Sequence, residues 1–126
     1  STPIKSSAAS DVYKRQGYQM VKELFAKPID YTAIFASTDS NALGILKAAD
    51  ELHIRIPGDL SLIGFDNIPS TALPRIDLTT IEQPKKEMAV QAVDMLLDKI
   101  EKGTQGYVHQ ILMPSLVQRG TCRSLT

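Results

Sequence analysis

The chain has 126 residues, 43% of them hydrophobic and 22% charged, with 14 lysines and arginines balancing 14 aspartates and glutamates. That is enough chain for one domain with a buried core, and the balance excludes the basic surface on which nucleic acid or an anionic membrane collects. The lone Cys122 closes no intrachain disulfide, no stretch approaches the roughly 20 apolar residues of a membrane helix, and no apolar signal core opens the chain. A cytoplasmic protein is expected, although a mature exported one would look the same.

Residues 1–16 read differently from the rest. Ser6-Ser7-Ala8-Ala9-Ser10 is small and polar, and residues 11–16 show no clear period, which predicts either a flexible terminus or a non-native leader. From Tyr18 the signal clears: Tyr18, Val21, Leu24 and Phe25 recur at helical spacing until Pro28. Residues 32–36 predict a buried strand that closes in Ser37-Thr38-Asp39, with Asp39 as N-cap of the next helix. That helix spans about residues 40–53 and turns Ala42, Ile45, Leu46, Ala49 and Leu52 to the core. Leu43 lies off that face, beside Lys47, Asp50 and Ile54. It reads either as an exposed leucine or as part of a partner surface.

Pro57-Gly58 opens the most informative stretch. The apolar run Leu60 to Phe65 is short and stops abruptly at Asp66-Asn67, which predicts a strand covered on both faces, as in parallel sheets. Residues 32–65 then form a strand–helix–strand unit with a right-handed crossover and parallel strands. Thr38-Asp39 and Asp66-Asn67 open on one edge of the sheet with a helix N-terminus between them. Ligands of open parallel sheets collect beyond the carboxyl ends of the strands, and this edge suits a small polar molecule. Further on, a loop with Pro69 and Pro74 leads to a short strand, Leu78 to Ile81. Lys85 to Lys102 predicts a long helix closed by Gly103. Its apolar residues cover so wide an arc that it expects cover on more than one side. Tyr107 to Met113 and Ser115 to Gln118 predict two more strands, followed by a polar tail.

Signs of catalysis are missing. His53 and His109 stand at no metal-ligand spacing, Cys122 has no base nearby in sequence, and no glycine-rich phosphate loop follows a strand. Asp39 and Asp66 could be read as an acid pair or a Mg²⁺ site, but capping accounts better for Asp39. Asp66 divides between loop hydrogen bonding and ligand contact. The reading is a binding protein, not an enzyme, without a cofactor or metal.

Two long motifs carry a resemblance. Ile56-Pro57-x-Asp59-Leu60-Ser61-Leu62-Ile63-Gly64-Phe65-Asp66-Asn67 and Leu78-Thr79-Thr80-Ile81-x-Gln83-Pro84 resemble the effector-binding domain of LacI/GalR-type transcriptional repressors. Thr32 to Asp39 and Pro114-x-Leu116-Val117-x-Arg119 fit the same pattern, so the likeness covers Gly17 to about Thr121. It implies an α/β fold: a Rossmann-like parallel sheet flanked by helices, the C-terminal part of a two-subdomain periplasmic-binding-protein-like fold. Residues 17–78 would belong to the C-terminal subdomain. Residues 79–106 would be a crossover strand and a helix of the N-terminal subdomain, residues 107–121 closing strands, and residues 122–126 a tail.

The resemblance also implies a site. Asp66 would hydrogen-bond sugar or nucleoside hydroxyls of an effector, with Thr38 and Asp39 at the cleft and Gln83 at the crossover. The face carrying Leu43, Lys47, Asp50 and Ile54 would form a homodimer. DNA would be bound only through a helix-turn-helix outside these residues. Val12 stands where the family usually places an aromatic that stacks on the effector, a departure that favours a foreign leader. The alternative is an exported sugar-binding protein of a transporter, which shares the fold. A small flavodoxin-like enzyme or phospho-receiver fits less well, since the acidic pair and the lysine that a receiver needs cannot be placed.

Overall fold

The computed structural model describes residues 6–28 and 30–126. It divides into two compact units: the chain up to Glu82 together with Leu116–Thr126, and Gln83–Ser115. The first unit contains α1 (Ser6–Leu24), β1 (Ala33–Phe35), α2 (Asp39–Glu51), β2 (Ser61–Ile63) and β3 (Thr80–Glu82). The second contains α3 (Lys85–Lys102), and β4 (Ser115–Val117) leads from it back into the first.

β2 is the central strand. It pairs in parallel with β1, with Ala33, Ile34 and Phe35 opposite Ser61, Leu62 and Ile63. Its other edge is taken up in sequence by three carbonyls: Leu62 N–H donates to Thr121 O at 2.8 Å, Gly64 N–H to Thr79 O at 2.9 Å, and Asp66 N–H to Ile81 O at 2.8 Å. A strand bonded on both edges has no polar backbone left for water, which is why its sequence is an unbroken apolar run. Leu60 and Leu62 are fully buried.

α1 and α2 cover one face of this sheet. Val21, Ala42, Ile45 and Ala48 meet Ala36, Leu62 and Leu78 in one buried cluster. The helices approach closely because two glycines face each other's partner: a Cβ on Gly17 would collide with the Asn41 carbonyl, and one on Gly44 with the Lys14 carbonyl. Thus residues 6–16 do not form the flexible terminus expected of them. They are the first turns of α1, and the Lys14 backbone lies against α2. Residues 1–5 of that expected leader lie outside the described residues. On the opposite face of the sheet Phe35 remains 62% exposed, its ring edge against Phe65.

Four other expectations are corrected. The α2 helix ends at Glu51, before His53, because a terminal turn closes it: His53 N–H donates to Asp50 O and Ile54 N–H to Ala49 O, with His53 at φ 57 in the left-handed position usually held by glycine. Residues 107–113 form no strand; Tyr107 is 95% exposed and Ile111 84%. The tail is not loose either. Thr121 is buried, its hydroxyl donating to Leu62 O at 2.7 Å and accepting from Thr79 N–H at 2.9 Å, and Arg123 Nε bonds Pro57 O and Gly58 O. β3 stays with the first unit rather than opening the next, held by the ladder to residues 64 and 66. In the second unit α3 ends at Gly103 in the left-handed conformation, as expected, and none of its residues is buried.

The turn into β2 explains Asp59. Its carboxylate accepts from Arg55 N–H at 2.9 Å, Arg55 Nε at 3.1 Å and Arg55 Nη2 at 2.7 Å, while Asp59 N–H returns a bond to Arg55 O. These bonds to the charged form, the Arg55 side chain first, hold the carboxyl at about 2. The folded value lies below the unfolded one, so the contribution is present above the ordinary carboxylate range and is lost as pH falls toward 2. An NMR titration of the Asp59 side chain is expected to show a midpoint near 2, and Arg55→Ala is expected to return it toward the ordinary value.

Candidate functional site

The site expected from the sequence lies where β1 and β2 end. Beyond the paired residues, Ala36 N–H donates to Ile63 O and Asp39 N–H to Phe65 O, each at 2.8 Å. The second bond places Thr38 and Asp66 on either side of one hydrogen-bonded step. Two of the expected effector contacts are thereby brought together at the carboxyl edge of the parallel pair.

Thr38, not Asp39, is the N-cap of α2. Its backbone is extended at φ −144 and ψ 157, and Oγ1 accepts from Asn41 N–H at 3.1 Å. As an acceptor there, the hydroxyl keeps its one O–H donor. Asp39 has a different role from the one expected. It is fully buried; Oδ1 accepts from Thr80 Oγ1 at 2.6 Å and Oδ2 from Ile68 N–H at 2.9 Å. Both oxygens serve the frame: they join the start of α2 to β3 and to the loop after β2. Gly64 is the counterpart of that arrangement, since a Cβ there would fall on the Asp39 carboxylate and within 2.9 Å of Leu78 Cδ2.

Asp66 is half-buried and turns the chain sharply. It sits at φ 117 and Asn67 at φ 51, two successive non-glycine residues in the left-handed region. Such residues cost of order 1–3 kcal/mol each and persist only where the surroundings fix them. Several contacts do so. Asn67 N–H reaches Thr80 Oγ1 at 3.4 Å, Ile68 N–H holds Asp39, and Asn67 Oδ1 accepts from Arg119 Nη2 at 2.8 Å. Arg119 was legible only as the end of a short motif; nothing in the sequence connects it with residue 67. Gln83, the fourth expected contact, is the first residue of the second unit. Among the described residues no three His, Cys, Asp or Glu side chains gather as a metal site.

The four residues expected on a partner surface do share one feature. Leu43, Lys47, Asp50 and Ile54 all line a depression of about 720 Å³ on the first unit, floored by Ile56 and Ile76. Leu43 and Ile54 are half-buried in its wall, Lys47 and Asp50 exposed at its rim. Beside it Glu51 accepts from the Tyr18 hydroxyl at 2.5 Å and pairs with Lys22 at 3.0 Å, which keeps its carboxyl below the usual range, the Tyr18 bond first.

With this geometry in place, comparison with known proteins gives a consistent picture. The sequence pattern of the periplasmic binding protein-like domain matches residues 2–122. The HTH-type transcriptional repressor PurR of Edwardsiella ictaluri (strain 93-146) is 35% identical over 119 residues, 94% of this chain and 35% of that protein. Among solved structures, a LacI-family transcriptional regulatory protein from Corynebacterium glutamicum is 38% identical with a TM-score of 0.76, covering 86% of this chain and 42% of that one. A LacI family transcriptional regulator from Enterococcus faecalis V583 with bound ribose is 32% identical with a TM-score of 0.81, covering 90% and 42%. The chain spans about a third of the length of the curated relatives it matches. No helix among the described residues is long and apolar enough to cross a membrane.

The buried Asp39 carboxylate makes a direct prediction. Asp39→Ala leaves the Ile68 N–H and the Thr80 hydroxyl proton without their acceptor, and urea unfolding is expected to show a loss of about 3 kcal/mol. Thr38→Val, which removes only the cap, is expected to cost about 1 kcal/mol in the same assay.

Proposed function

The chain belongs to the periplasmic binding protein-like domain family, in the form found in LacI-family regulators, and from that premise we propose that it is part of an effector-sensing domain. A small polar ligand, sugar-like or nucleoside-like, would sit against the carboxyl ends of β1 and β2. Asp66 would accept hydrogen bonds from its hydroxyls, and Thr38 would donate one. Gln83, where the chain leaves the first unit, is a further candidate contact from the same resemblance. The observation that carries this reading is the Asp39–Phe65 hydrogen bond, which sets Thr38 and Asp66 on one edge. The bound ribose of the Enterococcus faecalis regulator supports the ligand class. Asp39 takes no part in ligand contact in this proposal, because both its oxygens are engaged.

The function is differential affinity, not catalysis. An effector that prefers one arrangement of a two-part domain shifts the population toward it, and a DNA-reading head carried by such a regulator would follow. The depression lined by Leu43, Lys47, Asp50 and Ile54 supports a homodimer contact, since two copies facing each other would cover its apolar floor. A regulator of this kind works in the cytoplasm. The regulators among its relatives favour this over the transporter alternative.

Two measurements test the proposal, both in a protein that carries this segment at the full length of its relatives. Calorimetric titration with a panel of pentoses, hexoses and nucleosides is expected to find one that binds, and Asp66→Ala to weaken it by at least about 1 kcal/mol, the loss of a hydrogen bond to a charged group; unchanged affinity would remove Asp66 from the site. In analytical ultracentrifugation, Leu43→Lys is expected to move a dimer toward monomer, because it sets a lysine beside Lys47 in the contact.

A further inference from the structure

Backbone bonds hold part of the strained turn after β2. Asp66 N–H is bonded to Ile81 O, Asn67 N–H to Thr80 Oγ1 and Ile68 N–H to Asp39 Oδ2. The Asn67 side chain accepts from Arg119, which comes from a segment 52 positions further along the chain. The guanidinium is used on more than one side. Nη2 donates to Asn67 Oδ1 at 2.8 Å; Nη1 donates to Leu78 O at 2.9 Å and lies 3.3 Å from Thr71 Oγ1. The backbone is fastened too, with Arg119 N–H donating to Thr79 Oγ1 at 3.0 Å. A planar, forked cation can satisfy several acceptors at fixed angles, which the single ammonium of lysine cannot.

We propose that Arg119 is a positioning residue for the effector loop: by bridging Asn67, Leu78 and Thr71 it holds Asn67, and through it Asp66, in the turned conformation from which Asp66 meets the ligand. The proposal rests on the reading of Asp66 as an effector contact. It makes the segment that follows β4 a part of the binding site without touching the ligand. Displacement of that segment loosens Asp66, so effector affinity and the placement of residues 116–121 are coupled in both directions.

Amide hydrogen exchange of the ¹⁵N-labelled chain tests it without any ligand. Arg119→Lys keeps the charge and loses the fork; Asn67→Ala removes the acceptor and leaves the other Arg119 contacts in place. Each is expected to speed exchange at the Asp66 and Ile68 amides about tenfold while the Leu62 amide changes little, and the double variant to be no faster than the quicker single one, as two partners of one interaction require. Equal acceleration at Leu62, additive effects or unchanged exchange at Asp66 and Ile68 would each overturn the proposal. Titration with ribose in the full-length form separates it from the reading beneath it. If the parent protein binds ribose, Arg119→Lys is expected to weaken binding about tenfold, and unchanged affinity counts against the coupling. Effector binding that survives Asp66→Ala instead overturns the assignment of the site, and the exchange result still decides whether Arg119 holds the loop.

Discussion

A carboxylate buried among three strand ends must be paired, because an unpaired charge in that position costs several kcal/mol. Asp39 meets this demand with the Ile68 N–H and the Thr80 hydroxyl, and its own N–H reaches Phe65 O. One residue therefore joins the end of β1, the start of α2, the end of β2, the following loop and β3. The glycine at position 64 exists to leave room for it. The proposed ligand edge is a by-product of this joint: Thr38 precedes Asp39 in the chain, and Asp66 follows the residue to which Asp39 is bonded.

Much of the frame was legible in the sequence because it rests on local signals. The apolar run before Asp66, bounded by turn residues, could be read as a central strand, and Ala42, Ile45, Leu46, Ala49 and Leu52 as a helix face; Leu60, Leu62, Ala42, Ile45 and Ala49 are buried, whereas Leu52, beyond the end of α2, is 40% exposed. The parallel pairing followed from the length of the connection between the strands. The exchange of roles between Thr38 and Asp39 was not legible. Both are good capping residues, and only the arrival of Thr80 and of the residue 68 backbone, from distant parts of the sequence, decides which one is drawn inside. The same holds for Thr121 and Arg119. A polar C-terminal stretch reads as a tail unless one knows that β2 has an open edge at Leu62 for Thr121 to fill. The helical residues 6–16 were obscured for another reason: small, polar residues give no period, while the packing there depends on Gly44 allowing the Lys14 backbone close.

The second unit shows what periodicity alone can and cannot say. Lys85 to Lys102 is a helix with its glycine stop where the sequence placed them. Its apolar arc, wide enough to expect cover on several sides, is matched by the exposure of Val93, Leu96 and Ile100. The strand expected over 107–113 was inferred from apolar content, yet β-propensity largely measures fit to a pleated, half-buried surface. The same residues form no strand, and Tyr107, Val108, Ile111 and Met113 are exposed.

Left-handed backbone occurs among non-glycine residues at His53, Asp66, Asn67 and Asp77, and its origin differs between them. His53 is left-handed because it closes a helix, a position where the conformation is repaid by two backbone bonds. Asp66 and Asn67 have no such local reason; glycine at either place would relieve the strain, and glycine already occurs nearby at position 64. A carboxylate and an amide are kept there at a conformational cost, and the contacts that hold them come from β3, from Asp39 and from Arg119. A strained pair fixed by three separate parts of the chain can respond to movement in any of them, whereas a relaxed glycine turn would absorb such movement. In the effector loop proposed above, that sensitivity gives a physical reason for these two residues to stand where a more relaxed turn was possible.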